Sequence, residues 1–586
     1  MSYTINIESH KKTLRGDTGD QLVDVIQKAG INLSVYCDRK GLCGKCFVEI
    51  IEGDLPPPSK HEKYLIEQKK HPPNYRLACV YKIKGDVRIK IPEESIIKEA
   101  VVLTSGLRSA VPVLPAVKKF HLRLTMPEIS SPSSLMETLE RHLKQERLQA
   151  PAGLLRNMGR VMEESNYDVT VTTYKDRDLL NIEPNNTQDF NYGLAIDIGT
   201  TTLALELVNL NTGKTIATTT SLNSQSIRGA DVVSRISYTF KDMKKLNKLR
   251  DQIREDINSM IDELLKKTKT DPTNVYDMVV AGNTAMNHFL LGLPVDTLAL
   301  APYNSVFSCL SELSSQELGF RMNPYAKTYI APNIKSFVGG DISAGLIASD
   351  LAHKKGIYLF IDLGTNGEIV LKTEKEIIAT STAAGPAFEG MKISCGMLAQ
   401  PGAIYKAKFT DKLQTFTLGK KPAKGICGTG LIDLISIFLE QGKLSSNGRI
   451  NGKQKKIFIK DKIFISQNDI REMQLACAAI KTGIKMMIEE HHITKDELDG
   501  IYIAGAFGNY LNIKNSMKIG LLPRIDEDKI IFIGNAALAG AKTLLISATS
   551  RSSVENLVRK IRFVSLASRP SFQKNFVESL EFSPFF

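Results

Sequence analysis

Four cysteines near the N-terminus have a spacing that suits iron–sulfur chemistry. Cys37 and Cys43 are separated by five residues and Cys43 and Cys46 by two, and Cys79 follows after 32 more. Plant-type [2Fe–2S] sites use C-x4-C-x2-C with a remote fourth cysteine, so the first gap here is one residue longer. Zinc sites also use four cysteines, but normally as two short pairs, and only one short pair is present. The pattern favours a [2Fe–2S] cluster over zinc.

A second chemical motif occurs twice in the chain. Each copy is an apolar run that ends in Asp-x-Gly-Thr and continues into two further β-like runs, and the two aspartates, Asp197 and Asp362, lie 165 positions apart. A single motif of this kind is weak evidence, because tight turns use the same residues. Two copies in matching contexts indicate an internal repeat that builds a pair of phosphate-binding loops.

The residue types in these loops suit a phosphate chain with Mg²⁺. A carboxylate at a strand end can hold the water shell of Mg²⁺, glycine lets the backbone approach phosphate, and threonine and asparagine supply donors. The residues predicted for this site are Asp197, Gly199, Thr200 and Thr201 in the first loop and Asp362, Gly364, Thr365 and Asn366 in the second. Asp341 and Asp231 are candidates for a catalytic base. Neither a G-x4-G-K-[ST] loop nor a strand followed by G-x-G-x-x-G occurs, which disfavours those two nucleotide folds.

Length and composition limit the remaining possibilities. The 586 residues are too many for one core and predict several domains. The net charge of +13 comes mostly from lysines mixed with acids, and no nucleic-acid-reading signature accompanies them, so we expect no nucleic-acid partner. The N-terminus lacks a signal-peptide core, and no apolar run reaches 18 residues. The cysteines do not form a secreted disulfide pattern, so we expect a cytoplasmic protein without a membrane span.

The periodicity of the chain predicts its domains. Short strands around Thr4–Ile7, Val48–Ile51 and Val87–Ile91 and a helix over Gln21–Lys28 predict a first domain at residues 1–92. A linker at 93–110 and a small middle domain at 111–190 follow, the latter with a helix at 134–146 and a strand at 167–173. From residue 191 to 586, apolar strands, glycine loops and long helices alternate, with a short strand and a helix in the tail.

Both motifs resemble known families. The N-terminal cysteine pattern resembles that of ferredoxins, in particular the adrenodoxin-like branch, which implies a β-grasp domain. The doubled loop resembles the actin, sugar kinase and heat-shock-70 superfamily, which implies two ribonuclease-H-like halves that close over ATP. In that comparison the segment IYIAGAFGNYL (Ile501–Leu511) is similar to the adenosine motif, with Gly505 and Gly508 letting the base lie against the backbone.

The complete architecture resembles the reductive activators of corrinoid enzymes. Four further segments share this likeness: GADVVSRI, GNTAMNHFLLG, APNIKSFVGGDISAG and the C-terminal tail. The resemblance implies an ATP-hydrolysing electron-transfer activator with a [2Fe–2S] cluster, ATP and Mg²⁺. It would return a corrinoid methyl carrier from Co(II) to Co(I), take electrons from an upstream donor and form a possible homodimer.

Three alternatives remain open at this point. One is an ATP-gated electron donor to another redox enzyme, although the activators of dehydratases use a [4Fe–4S] cluster shared between subunits. Another is a small-molecule kinase with a redox-sensing ferredoxin domain, for which no acceptor pocket or base is identifiable. The third is a chaperone-like scaffold, for which a cluster has no evident purpose.

Overall fold

The computed structural model describes most of the chain. The described residues are 2–29, 31, 33, 41, 44, 46–92, 95–96, 111–126, 133–229, 231–505 and 510–585. Cys37, Cys43 and Gly508 lie outside them, and so does the predicted linker apart from residues 95–96, so these assignments stay predictions.

The N-terminal strands form a five-stranded sheet with the order β2-β1-β5-β3-β4. The elements are β1 (Ser2–Ile7), β2 (Lys12–Asp17), α1 (Leu22–Lys28), β3 (Phe47–Gly53), α2 (Lys60–Lys69), β4 (Tyr75–Leu77) and β5 (Val87–Lys90). The alternating apolar residues of β1 and the apolar residues at the start of α1 are buried in one core, which packs the helix on the sheet. β1 pairs antiparallel with β2 and parallel with β5. This is the predicted β-grasp fold.

A small antiparallel sheet with the order β6-β7-β8 comes next. It contains β6 (Val117–Arg123), α3 (Leu135–Leu143), α4 (Ala152–Glu164), β7 (Asp168–Tyr174) and β8 (Asp178–Pro184). α3 begins with a capping box in which Ser134 and Glu137 exchange hydrogen bonds, which explains why the helix starts there. Apolar residues of both helices pack on the sheet.

The first copy of the repeat forms a six-stranded sheet with the order β11-β10-β9-β12-β14-β13. Its elements are β9 (Tyr192–Ile198), β10 (Thr202–Asn209), β11 (Thr215–Leu222), α5 (Val232–Thr239), α6 (Met243–Thr268), β12 (Val275–Gly282), α7 (Thr284–Leu291), α8 (Asp296–Ala299), β13 (Leu313–Ser314), β14 (Lys327–Ile330) and α9 (Gly340–Ala348). β9, β10 and β11 are antiparallel, whereas β9, β12 and β14 are parallel. We call this unit lobe 1.

The second copy, lobe 2, has the order β24-β23-β15-β16-β17-β25, in which the first five strands correspond to β14, β12, β9, β10 and β11 and the short sixth strand lies at the opposite edge. Its elements are β15 (Ile357–Leu363), β16 (Gly367–Lys372), β17 (Ile377–Thr382), β18 (Ala403–Phe409), β19 (Leu413–Thr417), β20 (Gly425–Ile426), α10 (Gly428–Glu440), β21 (Lys456–Lys460), β22 (Ile463–Ser466), α11 (Gln467–Glu490), β23 (Leu498–Ala504), α12 (Ile513–Lys518), β24 (Ile530–Gly534), α13 (Ala536–Ile546), α14 (Ala548–Lys560), β25 (Arg562–Phe563) and α15 (Phe572–Glu578). Three antiparallel strands again adjoin three parallel ones. The duplicated ribonuclease-H-like fold predicted from the sequence is therefore confirmed.

Two helices at equivalent positions of the repeat join the lobes. α9 follows the last parallel strand of lobe 1, and α13 follows that of lobe 2. They cross at small residues, since a Cβ built on Gly540 would lie 2.0 Å from the carbonyl oxygen of Ala344. Only glycine allows this approach, and the crossing brings the first turns of both helices to the region between the sheets.

A buried junction ties the small sheet to both lobes. The guanidinium of Arg551 in α14 donates to Asp277 of β12 at 2.5 Å and to the hydroxyl of Tyr174 in β7 at 2.8 Å. Backbone bonds between Leu114 and the end of α13 add a second attachment. The middle domain is thus packed against the lobes. No helix in the described ranges is long and apolar enough to cross a bilayer.

Candidate functional site

Two of the predicted cluster cysteines meet at one end of the ferredoxin sheet. Cys46 directly precedes β3, Cys79 follows β4, and both residues are buried. The strands pair with Phe47 opposite Leu77, and the N–H of Ala78 donates to the carbonyl of Cys46 at 3.0 Å. Two thiols fixed on adjacent backbone in a buried setting fit half of a [2Fe–2S] ligand set.

The two predicted phosphate loops leave the central strands of the two sheets. Asp197 lies next to the end of β9, opposite Ala204 of β10, and Asp362 occupies the same position on β15, opposite Glu368 of β16. Equivalent strands therefore present equivalent aspartates, but only lobe 2 adds a second acid beside its aspartate.

Four carboxylates influence each other between the lobes. Burial and the charge of Asp341 together raise the pKa of Asp197 to about 7, and the hydrogen bond from Asn535 opposes the rise. Burial, with the charges of Asp341 and Asp197, raises the pKa of Asp362 to about 7. Burial also raises the pKa of Asp341 to about 6, and burial with the charges of Asp341 and Asp362 holds the pKa of Glu368 well above its usual range. The three aspartates are partly exposed at the cleft surface, but they are enclosed enough that burial is the largest cause of their pKa shifts. We call these four residues the acidic cluster.

Such a cluster favours a bound cation, because a positive charge relieves the repulsion among the carboxylates. Mg²⁺ at phosphate sites takes one or two carboxylates and completes its shell with water and phosphate oxygens. Within the described ranges, no three His, Cys, Asp or Glu side chains are close enough to hold a metal ion by themselves. The donor set fits Mg²⁺ that arrives with a nucleotide.

The hydroxyls of the two loops converge on a residue that the sequence analysis did not identify. Thr201 donates to one oxygen of Glu389 at 2.9 Å, and Thr365 donates to the other at 2.5 Å. Thr201 belongs to lobe 1 and Thr365 to lobe 2. One carboxylate therefore connects both loops. Its only sequence signal is its place in the glycine-flanked turn GPAFEG.

Amides and a buried arginine position the first loop. Asn283 at the start of α7 donates to the hydroxyl of Thr200 at 3.1 Å, and Asn535 at the start of α13 donates to Asp197 at 2.8 Å. Arg235 is fully buried and donates to the carbonyls of Thr200 and Gly229. Burial lowers the pKa of Arg235 to about 9, so the guanidinium stays charged at neutral pH.

Two of the predicted glycines permit close approaches. A Cβ on Gly199 would lie 2.5 Å from the carbonyl oxygen of Thr202, so the first loop can fold back only with glycine there. Gly505 has a φ of +102°, and a Cβ would lie 2.6 Å from the carbonyl of Leu363 and 3.0 Å from Asp362. The structure thus places Gly505, which was predicted to contact adenosine, directly against the second phosphate loop.

The remaining candidates separate into those at the cleft and those elsewhere. Gly364 and Asn366 share the second loop, where the N–H of Gly364 donates to the carbonyl of Asn366 at 3.1 Å. Asp231 caps α5 in a capping box with Ser234, which gives it a structural role. His288 is buried, and its ring is hydrogen-bonded to the carbonyl of Thr284 within α7, so it has a packing role.

Comparisons with known proteins cover nearly the whole chain. Family models match in order: a 2Fe–2S iron–sulfur cluster binding domain at 5–84, the RACo linker region at 106–189, the RACo middle region at 192–354, and the C-terminal domain of RACo, the ASKHA domain, at 356–584. The corrinoid activation enzyme RamQ of Eubacterium limosum is 30% identical over 590 residues, 95% of each chain. A [Co(II) methylated amine-specific corrinoid protein] reductase of Methanosarcina barkeri is 26% identical over 408 residues, which cover 63% of this chain and 73% of that protein.

A solved structure extends the likeness to three dimensions. A reductive activator for corrinoid, iron–sulfur protein superposes with a TM-score of 0.75 at 31% identity, and the match covers 99% of this chain and 98% of that one. The order of all domains is therefore shared.

Proposed function

This chain belongs to the RACo family of corrinoid reductive activators, and we propose on that premise that it uses ATP to pass one electron from a [2Fe–2S] cluster to the cobalt of a corrinoid protein. Co(II) accepts the electron and becomes Co(I), the state that takes up a methyl group. The observation that carries the proposal is the presence of both parts in one chain: a ferredoxin domain with the cluster cysteines and a duplicated cleft whose two loops meet.

The thermodynamics explain why both parts are needed. Plant-type [2Fe–2S] clusters have potentials near −400 mV, and restoring Co(I) demands a lower one. A one-electron step loses about tenfold in its equilibrium constant for every 59 mV of mismatch. A protein that binds the partner differently in its ATP state can shift that equilibrium.

Each group of residues has a defined task in this reaction. The cluster, when held by Cys37, Cys43, Cys46 and Cys79, supplies a one-electron carrier, which an upstream donor protein would recharge. Asp197 and Asp362 would anchor Mg²⁺–ATP from the two lobes. The loop hydroxyls and amides would hold the phosphate chain. Gly505 has no side chain, so it would leave room for the nucleotide beside the second loop.

The test is ATP-dependent reduction of a Co(II) corrinoid methyl carrier from the same organism. With a strong chemical reductant, ATP and the cluster-loaded protein, the absorbance of the corrinoid should change from the Co(II) to the Co(I) spectrum. Omitting ATP, or replacing Asp362 by Asn, should stop the change. The matched control is Asp350→Asn, which alters an exposed aspartate outside the cleft.

Three results would contradict the proposal. Corrinoid reduction at the full rate without ATP would show that the cleft does not drive the transfer. Transfer of phosphate to a small molecule, with no change at cobalt, would favour a kinase. Electron delivery to a different redox enzyme, with no corrinoid protein reduced, would favour the more general ATP-gated donor.

A further inference from the structure

Glu389 is held where the two phosphate loops face each other. It ends the 3-10 turn Pro386–Glu389, and the N–H of Gly385 donates to the carbonyl of Thr365 at 2.8 Å, which ties this turn to the second loop. Its two carboxylate oxygens accept hydroxyl hydrogens from different lobes, Thr201 at 2.9 Å and Thr365 at 2.5 Å. A phosphate group gripped by both loops would therefore lie next to this carboxylate.

Glu389 is electrostatically separate from the acidic cluster. Asp197, Asp362 and Asp341 act on one another, but the groups that act on Glu389 are the hydroxyls of the two threonines, the backbone N–H of Thr365 and the charge of Arg235. Burial raises the pKa of Glu389, and these four groups oppose the rise. The cleft thus has a cation side with four acids and a separate side with one acid and a buried guanidinium.

We propose that Glu389 orients the water that attacks the γ-phosphate of ATP and accepts its proton. The inference rests on the proposed function only in taking ATP as the nucleotide. The water oxygen forms a bond to the γ-phosphorus, and the bond between that phosphorus and the oxygen bridging to the β-phosphate breaks. ADP leaves with the electron pair, and the water proton passes to the Glu389 carboxylate. Arg235 has a positioning role: it holds the backbone of the first loop and favours the ionised carboxylate.

The other acids of the cleft form the acidic cluster, in which Asp197 and Asp362 are the proposed anchors of Mg²⁺. Asp197 accepts a hydrogen bond from Asn535 at 2.8 Å, and Asp341 accepts the N–H of Ile342 at 2.8 Å at the start of its own helix. Glu368 is 7% exposed and faces the cation side. The hydroxyl contacts to both loops are made by Glu389.

The test is Glu389→Gln in the full-length, cluster-loaded protein. Glutamine keeps the size and an acceptor oxygen but cannot take a proton, so single-turnover ATP hydrolysis should fall about 10²-fold or more, within the range that general bases contribute. Affinity for Mg²⁺–ATP, measured by calorimetry, should remain as in the wild type, and the protein should accumulate bound ATP. Glu376→Gln is the control, because it makes the same change at a partly exposed glutamate of lobe 2 that pairs with Arg562.

The possible outcomes separate this proposal from the proposed function. Hydrolysis at the wild-type rate in Glu389→Gln would overturn the role of Glu389, and so would loss of ATP affinity in a folded variant, which would make it a binding residue. If the glutamine variant does not fold, Glu389→Asp is used instead, because it keeps the carboxylate on a shorter side chain. Slower hydrolysis with unchanged ATP affinity would support the role of Glu389, and an unchanged rate would refute it. Failure of the wild type to bind or hydrolyse ATP would instead refute the proposed function.

Discussion

The buried junction between Arg551 and Asp277 should stabilise the body formed by the small sheet and the two lobes. Their side chains are 2% and 0% exposed and lie 2.5 Å apart. Asp277→Asn keeps the shape of the side chain but leaves the guanidinium without its counter-charge. Removing one partner of a buried ion pair costs about 3–5 kcal/mol.

This loss of stability can be converted into a shift of the melting temperature. The entropy of unfolding is about 2.1 cal/mol/K per residue, which gives about 1 kcal/mol/K for the roughly 470 residues of the body. Dividing the lost stability by this entropy predicts that Tm falls by about 3–5 °C. Calorimetry of the nucleotide-free protein would measure this, with the cluster absorbance followed in parallel to identify the transition of the ferredoxin domain. Arg551 also donates to the carbonyl of Leu544 at 2.8 Å, and this bond remains in the variant.

An exposed pair of equal length provides the control. Arg321 and Asp262 also lie 2.5 Å apart, with side chains 49% and 52% exposed. Asp262→Asn should cost at most about 1 kcal/mol, a shift of about 1 °C or less. Arg321 keeps Glu255 as a second partner at 3.0 Å, and both charges stay in water. Equal shifts from Asp277→Asn and Asp262→Asn would refute the reasoning, because it attributes the difference to a buried charge left without its ion-pair partner. In the double variant Asp277→Asn/Arg551→Met, much of the lost stability should return, since no buried charge is left.

Four further predictions concern the cleft, the cluster and the crossing of α9 with α13. Because Asp197 and Asp362 have pKa values raised to about 7, Mg²⁺-dependent ATP affinity should strengthen as pH rises from 6 to 8, measured by Mg²⁺ titration at fixed nucleotide. The nucleotide-free protein should lose stability as pH rises toward 7, since its folded state binds more protons than the unfolded chain; an opposite slope in urea midpoints would contradict this. Cys46→Ser should abolish the visible absorbance of the cluster without shifting the melting of the lobes. Gly540→Val, whose Cβ would meet Ala344 at 2.0 Å, should cost about 1–3 kcal/mol or more and weaken ATP binding; an unchanged Tm would show that the helix crossing adapts.

The parts of the fold that depend on local pattern were predictable from the sequence. The apolar runs before Asp197 and Asp362 formed the central strands of both lobes, and the doubled motif revealed the duplication. The predicted helix at 134–146 is observed as Leu135–Leu143, because its capping box is a local signal. The packing of the small sheet against the lobes was not predictable, since its contacts join residues as far apart as Tyr174 and Arg551.

The site was only partly predictable, because several of its residues lack a local motif. Glu389 reaches Thr201 across 188 positions, and no periodicity reports such a contact. Glu368 lies in an apolar strand, where an acid is unusual. Glu206 also lies in such a strand, but it bonds Thr215 inside lobe 1 and has no place in the cleft. A buried acid in a strand is therefore a weak signal until the partner strands are known.

The geometry suggests how ATP could drive electron transfer. A mismatch of about 180 mV corresponds to about a 10³-fold preference between two states. ATP supplies this preference if it binds the closed cleft about 10³-fold more tightly than the open cleft. The binding free energy is large enough, since micromolar affinity corresponds to about 8 kcal/mol. Thr201 and Thr365 come from different lobes, so a phosphate can bind both threonines only when the cleft between the lobes is closed. On this argument binding provides the drive, and hydrolysis beside Glu389 removes the group that both loops grip, which reopens the cleft for the next electron.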